Sequence, residues 1–132
     1  MSLVELIAVI KEAKTQFGIE GVTYSGGEPT CQENLPLLTK EIKLLGLGVI
    51  SFTGRMYEEV SNILEGCDVV LDGSFKENLP ETKRRLLGSK NQRIICLTER
   101  YKDCVEEWFY KKDYLLAEIN IGKNIVINGD KI

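Results

Sequence analysis

A chain of 132 residues and 14.9 kDa suits one domain, because single domains mostly run to about 100–150 residues. Hydrophobic residues at 43% with charged residues at 28% match ordinary globular usage and exclude a disordered or fibrous chain. With 20 acidic against 17 basic residues and a pI near 5.1, the chain lacks the basic excess that phosphate-backbone binding uses, so no nucleic-acid partner is expected. Histidine is absent, which removes Ser-His and Cys-His nucleophile pairs, histidine general bases and histidine-containing metal sites.

The longest apolar run near the start, residues 6–10, is far shorter than the roughly 18 residues that span a bilayer, and Glu5 stands where a signal peptide carries positive charge. A cytoplasmic protein with no membrane association is expected. Cys31, Cys67, Cys96 and Cys104 show no C-x-x-C spacing, and a domain of this size does not depend on disulfides, so reduced thiols are expected.

Leu3, Ile7, Ile10, Ala13 and Phe17 recur at helical spacing, with Gly18 placed to end the helix in a left-handed cap. Residues 20–25 form a β-branched and aromatic run that stops at two glycines, as a strand entering a loop does. Leu35, Leu38, Ile42 and Leu45 then define a second amphipathic helix, stopped by Gly46. The alternation repeats: a strand over 48–53, a helix marked by Tyr57, Val60 and Leu64 that ends at Gly66, a strand over 67–72, and a fourth strand over 92–97. Strands recurring with helices between them are βαβ units, which predicts the α/β class and a parallel sheet with right-handed crossovers. A further helix is expected within 99–112, carrying Tyr101, Val105, Trp108 and Phe109. The tail differs, since residues 117–121 and 124–128 flank Gly-Lys and read as a C-terminal β-hairpin that pairs on an edge of the sheet. No linker or repeat interrupts the chain, so residues 1–132 are read as one domain.

The chemistry concentrates in residues 22–30, VTYSGGEPT. A strand there opens at its C-terminal end into Ser25, Gly26, Gly27, Glu28 and Pro29, where the ligand crevice of a parallel sheet lies. Paired glycines let a ligand approach the backbone, and the Glu28 carboxylate suits an ammonium group. A tight turn with a surface glutamate is the competing reading.

Residues 21–30, GVTYSGGEPT, resemble the strand and loop with which radical S-adenosylmethionine (SAM) enzymes hold the methionyl amino group of SAM. The order and spacing of FTGR at 52–55, DVVLDGSF at 68–75 and GSKNQRII at 88–95 resemble the activating proteins of anaerobic, class III ribonucleotide reductases over roughly residues 1–100. This resemblance implies a partial, open TIM-like barrel of βα units. It implies SAM bound on a [4Fe–4S] cluster, reductive cleavage to a 5′-deoxyadenosyl radical, and a glycyl radical enzyme as partner, here anaerobic ribonucleotide reductase. Position by position, it puts Ser25, Gly26, Gly27, Glu28 and Pro29 at the SAM amino group and Thr53 and Gly54 beside its methionine or ribose. Asp72 falls at the next strand end, and Asn91 and Arg93 serve the site or the partner interface.

The chain departs from that family at the cluster. The closely spaced C-x3-C-x2-C loop and the strand before it have no counterpart, because residues 1–3 run directly into the first helix. No metal ligands are therefore assigned, and each cysteine is expected to be packed or inert. The expected protein is a truncated radical-SAM-like domain that does not cleave SAM by itself. The alternatives are a non-catalytic module binding a SAM-like ligand or a protein, and a related activase such as that of pyruvate formate-lyase. A missing first strand leaves the sheet edge beside residues 22–25 open to homodimerisation or to the tail hairpin. The basic run Lys83, Arg84 and Arg85 reads as a solvated helix face, and Trp108 with Phe109 and Tyr110 as core.

Overall fold

The computed structural model describes residues 2–82, 87–105 and 124–128. Helix α1 (Leu3–Phe17) starts where the Ser2 hydroxyl accepts from the Glu5 N–H at 3.2 Å, and it ends where Gly18, at φ 59°, returns its N–H to the Lys14 carbonyl at 3.0 Å. Its apolar stripe of Leu3, Leu6, Ile7, Ile10 and Ala13 turns to the core. Strand β1 (Gly21–Ser25) follows, then helix α2 (Leu35–Leu44), which buries Leu35, Leu38, Thr39 and Ile42. The Lys14 ammonium donates to the Leu45 carbonyl and so ties α1 to the C-terminal end of α2. Strand β2 (Gly48–Phe52), a single helical turn α3 (Tyr57–Val60), β3 (Val69–Asp72), β4 (Arg93–Cys96) and β5 (Asn124–Asn128) complete the described elements. The helix expected as far as Gly66 is this one turn, after which the chain proceeds in tight turns to Gly66.

The sheet is open, with strand order β4-β3-β2-β1-β5. β1, β2 and β3 are parallel, as expected of βαβ units. β4 corrects the expectation that the strand over 92–97 joins the parallel βα series: it pairs antiparallel with β3, Val69 opposite Cys96 and Asp72 opposite Arg93. A parallel return needs a crossover to the far end of the sheet, usually by a helix. Here the connection doubles back on itself, with Pro80 bridged to Ser89, the Lys90 N–H donating to the Leu79 carbonyl at 2.6 Å and the Lys76 N–H to Ser89 Oγ at 3.1 Å. The chain therefore re-enters the sheet at the end where β3 left it, and its direction reverses.

The tail strand β5 lies on the other side, parallel to β1, with Gly21 opposite Asn124 and Ser25 opposite Asn128. Of the two occupants expected for the β1 edge, a second copy or the tail, it is a strand of the tail that pairs there. The other arm of the expected hairpin, residues 117–121, lies outside the described residues, as do Lys83, Arg84, Arg85, Trp108, Phe109 and Tyr110. Of the helix expected over 99–112, residues 99–105 are described; 99–101 form a bend and turn and 102–105 are helical.

Alternation along the strands divides the core between two faces. Val22, Tyr24, Val49 and Val70 pack under α1 and α2, where the Tyr24 hydroxyl and Thr39 Oγ1 share a buried hydrogen bond of 2.7 Å. Val69 and Leu71 point the other way, onto Leu87 and Val105, flanked by Ile50, Phe52 and Ile94. On that face Gly21 and Gly48 stand opposite each other and leave a slot filled by the Tyr101 ring; a Cβ on Gly21 would come 2.7 Å from the Tyr101 hydroxyl. Asp68, 1% exposed, closes the N-terminal end of β3 by accepting from Lys43 Nζ at 2.6 and 2.7 Å, the Val49 N–H at 2.8 Å and Thr98 Oγ1 at 2.6 Å. Among the described residues no helix is long and apolar enough to cross a membrane.

Candidate functional site

The loops at the C-terminal ends of β1, β2 and β3 meet along one edge of the sheet, because parallel strands deliver their ends to the same side. After β1 the chain turns through Gly26, at φ 74°, and exposed Gly27 to Glu28, which caps a 3-10 turn, Pro29–Cys31. Proline at the first position of that turn gives up an N–H that would have had no partner. The Glu28 carboxylate accepts from the Thr30 N–H at 3.0 Å and the Thr30 hydroxyl at 2.6 Å, both within its own loop. It also crosses to the loop after β2, accepting from Thr53 Oγ1 at 2.9 Å and the Gly54 N–H at 2.7 Å. Partial burial pushes the carboxyl upward, but the bonds from Thr30, Gly54 and Thr53 outweigh this and hold it below the ordinary carboxylate range. Glu28 is thus an anion at neutral pH that fastens the first two loops together.

The chain of contacts runs on to β3. Thr53 Oγ1 accepts from the Arg55 N–H at 3.1 Å, and the Arg55 carbonyl accepts from the Gly73 N–H at 3.1 Å. Asp72, 1% exposed, accepts from the Tyr57 N–H at 2.7 Å and from the Arg93 guanidinium at 2.9 and 2.5 Å. Arg93 also forks onto Glu58 at 3.0 and 2.8 Å; its bonds to Asp72 first, and then those to Glu58, keep it firmly cationic. Asn91 donates to the Ser74 carbonyl at 2.8 Å, and its Oδ1 is buried without a partner.

The residues singled out from sequence therefore share one edge but have two kinds of surroundings. Ser25, Gly26, Gly27, Glu28, Pro29, Thr53 and Gly54 form a continuous pair of loops with exposed backbone at Gly26, Gly27 and Gly54. Asp72, Asn91 and Arg93 shape the third loop from beneath, with Asp72 committed to Arg93 and to the Tyr57 N–H. Two contributors escaped the sequence reading. Gln92 clamps the third loop, its Oε1 accepting from the Gly88 and Ser89 N–H groups at 2.7 and 3.1 Å and its Nε2 donating to the Gly73 carbonyl at 3.0 Å. Thr30 supplies half of the Glu28 contacts, and the Glu-Pro-Thr order, a capping acid before a proline at a turn start, was the signal for it.

An open, mixed sheet with the ends of three parallel strands on one edge, the first of them opening into a glycine-containing loop, defines an α/β domain with a candidate ligand crevice at those strand ends. The family profile described as a 4Fe-4S single cluster domain matches residues 3–95, and the chain belongs to that family. It is similar to the anaerobic ribonucleoside-triphosphate reductase-activating protein of Enterobacteria phage T4, at 30% identity over an 88-residue alignment that covers 61% of this chain and 56% of that relative. The chain thus spans about half the length of the curated relative it matches. No solved structure matches it.

The family implies a cluster, and the donor set described here does not fit one. A [4Fe–4S] cluster needs several thiolates within reach of one cubane. Cys31 is exposed in the 3-10 turn at the C-terminal edge of the sheet, whereas Cys67 precedes β3 and Cys96 pairs with Val69 at the opposite edge. Cys104 lies in the helical stretch 102–105. Burial first, then the neighbouring Asp68, pushes the Cys67 thiol up to about 12, so it is protonated at neutral pH. Among the described residues no three His, Cys, Asp or Glu side chains form a group able to hold a metal ion.

Proposed function

We propose that this chain is the SAM-binding portion of a radical SAM activating protein that acts on a glycyl radical enzyme, the anaerobic ribonucleotide reductase. The observation that carries the reading is the Glu28 bridge, which locks the SGGEP loop after β1 to the Thr53-Gly54 loop after β2 and leaves the Gly26 and Gly27 backbone open to solvent. Such a loop offers carbonyl oxygens and a fixed negative charge to an ammonium group. The T4 relative, an anaerobic ribonucleoside-triphosphate reductase-activating protein, supports the activating role and the reductase as partner. The open sheet of parallel βα units is compatible with a partial barrel, in a single cytoplasmic domain.

The test is a titration of the 15N-labelled chain with SAM, with ATP as a control that shares adenosine but lacks the amino-acid end. Shifts confined to the amides of residues 26–28 and 54, produced by SAM and not by ATP, are expected. No shifts there, or equal shifts with both, overturn the reading. The cysteine geometry favours a second reading, a SAM-binding or protein-binding module that does no chemistry with its own thiols. Anaerobic reconstitution with iron and sulfide separates the two: iron bound in cluster stoichiometry, lost on Cys→Ser substitution, refutes the module.

A further inference from the structure

The helix-bearing face of the sheet is covered unevenly. α1 and α2 lie over Val22, Tyr24 and Val49, but beyond them the chain lays only the single turn α3 and the tight turns of residues 61–66 beside β3. A cleft of about 460 Å³ is left between those turns and the chain leaving β4. Its inner end is apolar, with Leu97 half-buried and Cys67 buried, and half-buried Tyr57 forms one side. Its rim is polar, with Ser61, Asn62 and Glu65 all exposed. Small-molecule sites run from about 300 to 1,000 Å³ and combine an apolar lining with a few polar groups, so both the size and the lining suit a small organic ligand.

The walls are fixed before anything binds. On one side the Tyr57 N–H donates to Asp72 Oδ2 at 2.7 Å, and Glu58 is held by the Arg93 guanidinium at 3.0 and 2.8 Å. On the other the Leu97 N–H donates to the Asp68 carbonyl at 2.8 Å and the Thr98 hydroxyl to Asp68 Oδ1 at 2.6 Å, while the Cys67 N–H is held by the Leu64 carbonyl at 3.1 Å. A preformed site loses little freedom on binding. The charge at the rim is unbalanced, because Asp68 is paired with Lys43 whereas Glu65 makes no ion pair among the described residues. We infer that this cleft is a second ligand site, for a small organic ammonium with an aromatic or alkyl body. The body packs on Leu97, Cys67 and Tyr57, and the ammonium meets the Glu65 carboxylate, with the Ser61 hydroxyl and the Asn62 amide as further acceptors. An anion in its place would be repelled by Glu65, and an ammonium without the body would leave the apolar end in water. The cleft shares no residue with the SGGEP and Thr53-Gly54 loops, so the assignment does not depend on how that edge is read.

The experiment titrates the 15N-labelled 132-residue chain with 2-phenylethylamine, and with phenylacetate and ethylamine as controls that reverse the charge or remove the ring. Saturable shifts at the amides of residues 61–67, 97 and 98 are expected with 2-phenylethylamine, and none that saturate over the same range with either control. Glu65→Gln is expected to weaken the binding by about threefold, the size of one solvent-exposed ion pair. Ser61→Trp, which fills the cleft, is expected to abolish it. Thermal unfolding of both variants verifies the fold, and if Ser61→Trp unfolds early, Glu65→Gln on its exposed turn decides alone. The assignment is overturned if 2-phenylethylamine produces no saturable shifts at these amides, if it shifts residues 26–28 and 54 instead, if phenylacetate binds as well, or if Glu65→Gln binds as tightly as wild type.

Discussion

Replacing Glu28 by glutamine tests whether the loops at the candidate edge are held by one carboxylate. The natural side chain offers acceptors to two backbone N–H groups, Gly54 on Oε1 and Thr30 on Oε2, and to the hydroxyls of Thr30 and Thr53. An amide has one oxygen. The hydroxyls can rotate to accept from its NH2 group, but a backbone N–H cannot, so in either orientation Gly54 or Thr30 faces another donor. One charge-assisted bond becomes a donor-donor contact at a half-buried site, which costs about 2 kcal/mol. For a domain of this size that lowers the melting temperature by about 5–10 °C in calorimetry at neutral pH. The difference from wild type also depends on pH. Because the folded carboxyl lies below its unfolded value of about 4.3, its contribution is full above that value and is lost as pH falls through the folded value. The two melting curves should therefore converge in acid. Equal stability at neutral pH, or a gap that persists through acid, would refute the bridge.

Gly48→Ala drives a Cβ into the Tyr101 hydroxyl and to 2.5 Å from the nearest ring carbon, and the resulting overpacking costs about 1–3 kcal/mol by urea denaturation. A Tyr101→Ala background should absorb most of that cost, and strict additivity of the two substitutions would mean that the slot is not shared. Alkylation of the native chain at pH 8, followed by mass spectrometry, should modify exposed Cys31 and Cys104 first and Cys67 last, because Cys67 is buried and its thiol is pushed up to about 12. Early labelling of Cys67 would contradict the packing around β3.

Much of the fold was legible because it is written in short-range patterns. The stripe from Leu3 to Ala13 and the left-handed Gly18 define α1 by periodicity and capping alone, and the Leu35, Leu38 and Ile42 spacing does the same for α2. The strand starts and ends around β1, β2 and β3 follow from β-branched runs bounded by glycine, and βαβ order then dictates that these strands run parallel. The convergence of Ser25, Glu28, Thr53 and Asp72 on one edge follows in turn, since parallel strands deliver their ends to the same side.

The direction of β4 was not legible, because it depends on contacts between residues far apart in sequence. Residues 73–92 are long enough for a crossover, and the Pro80–Ser89 bridge with the Gln92 clamp on Gly73 turns them into a reversal instead. The same holds for the tail: alternation marks residues 124–128 as a strand and the open β1 edge offers it a place, but only the fold decides that β5 rather than a second copy takes that edge, and that it runs parallel to β1. Sequence identified Glu28 as a carboxylate beside two glycines; the tertiary structure decided that its lone pairs are spent on Thr30, Thr53 and Gly54 and that Arg55 has the Cys31 thiol for a partner. Residue type and spacing determine which groups are available, whereas the partner each polar group finds is set by packing between distant segments, where geometry and desolvation select one arrangement among many.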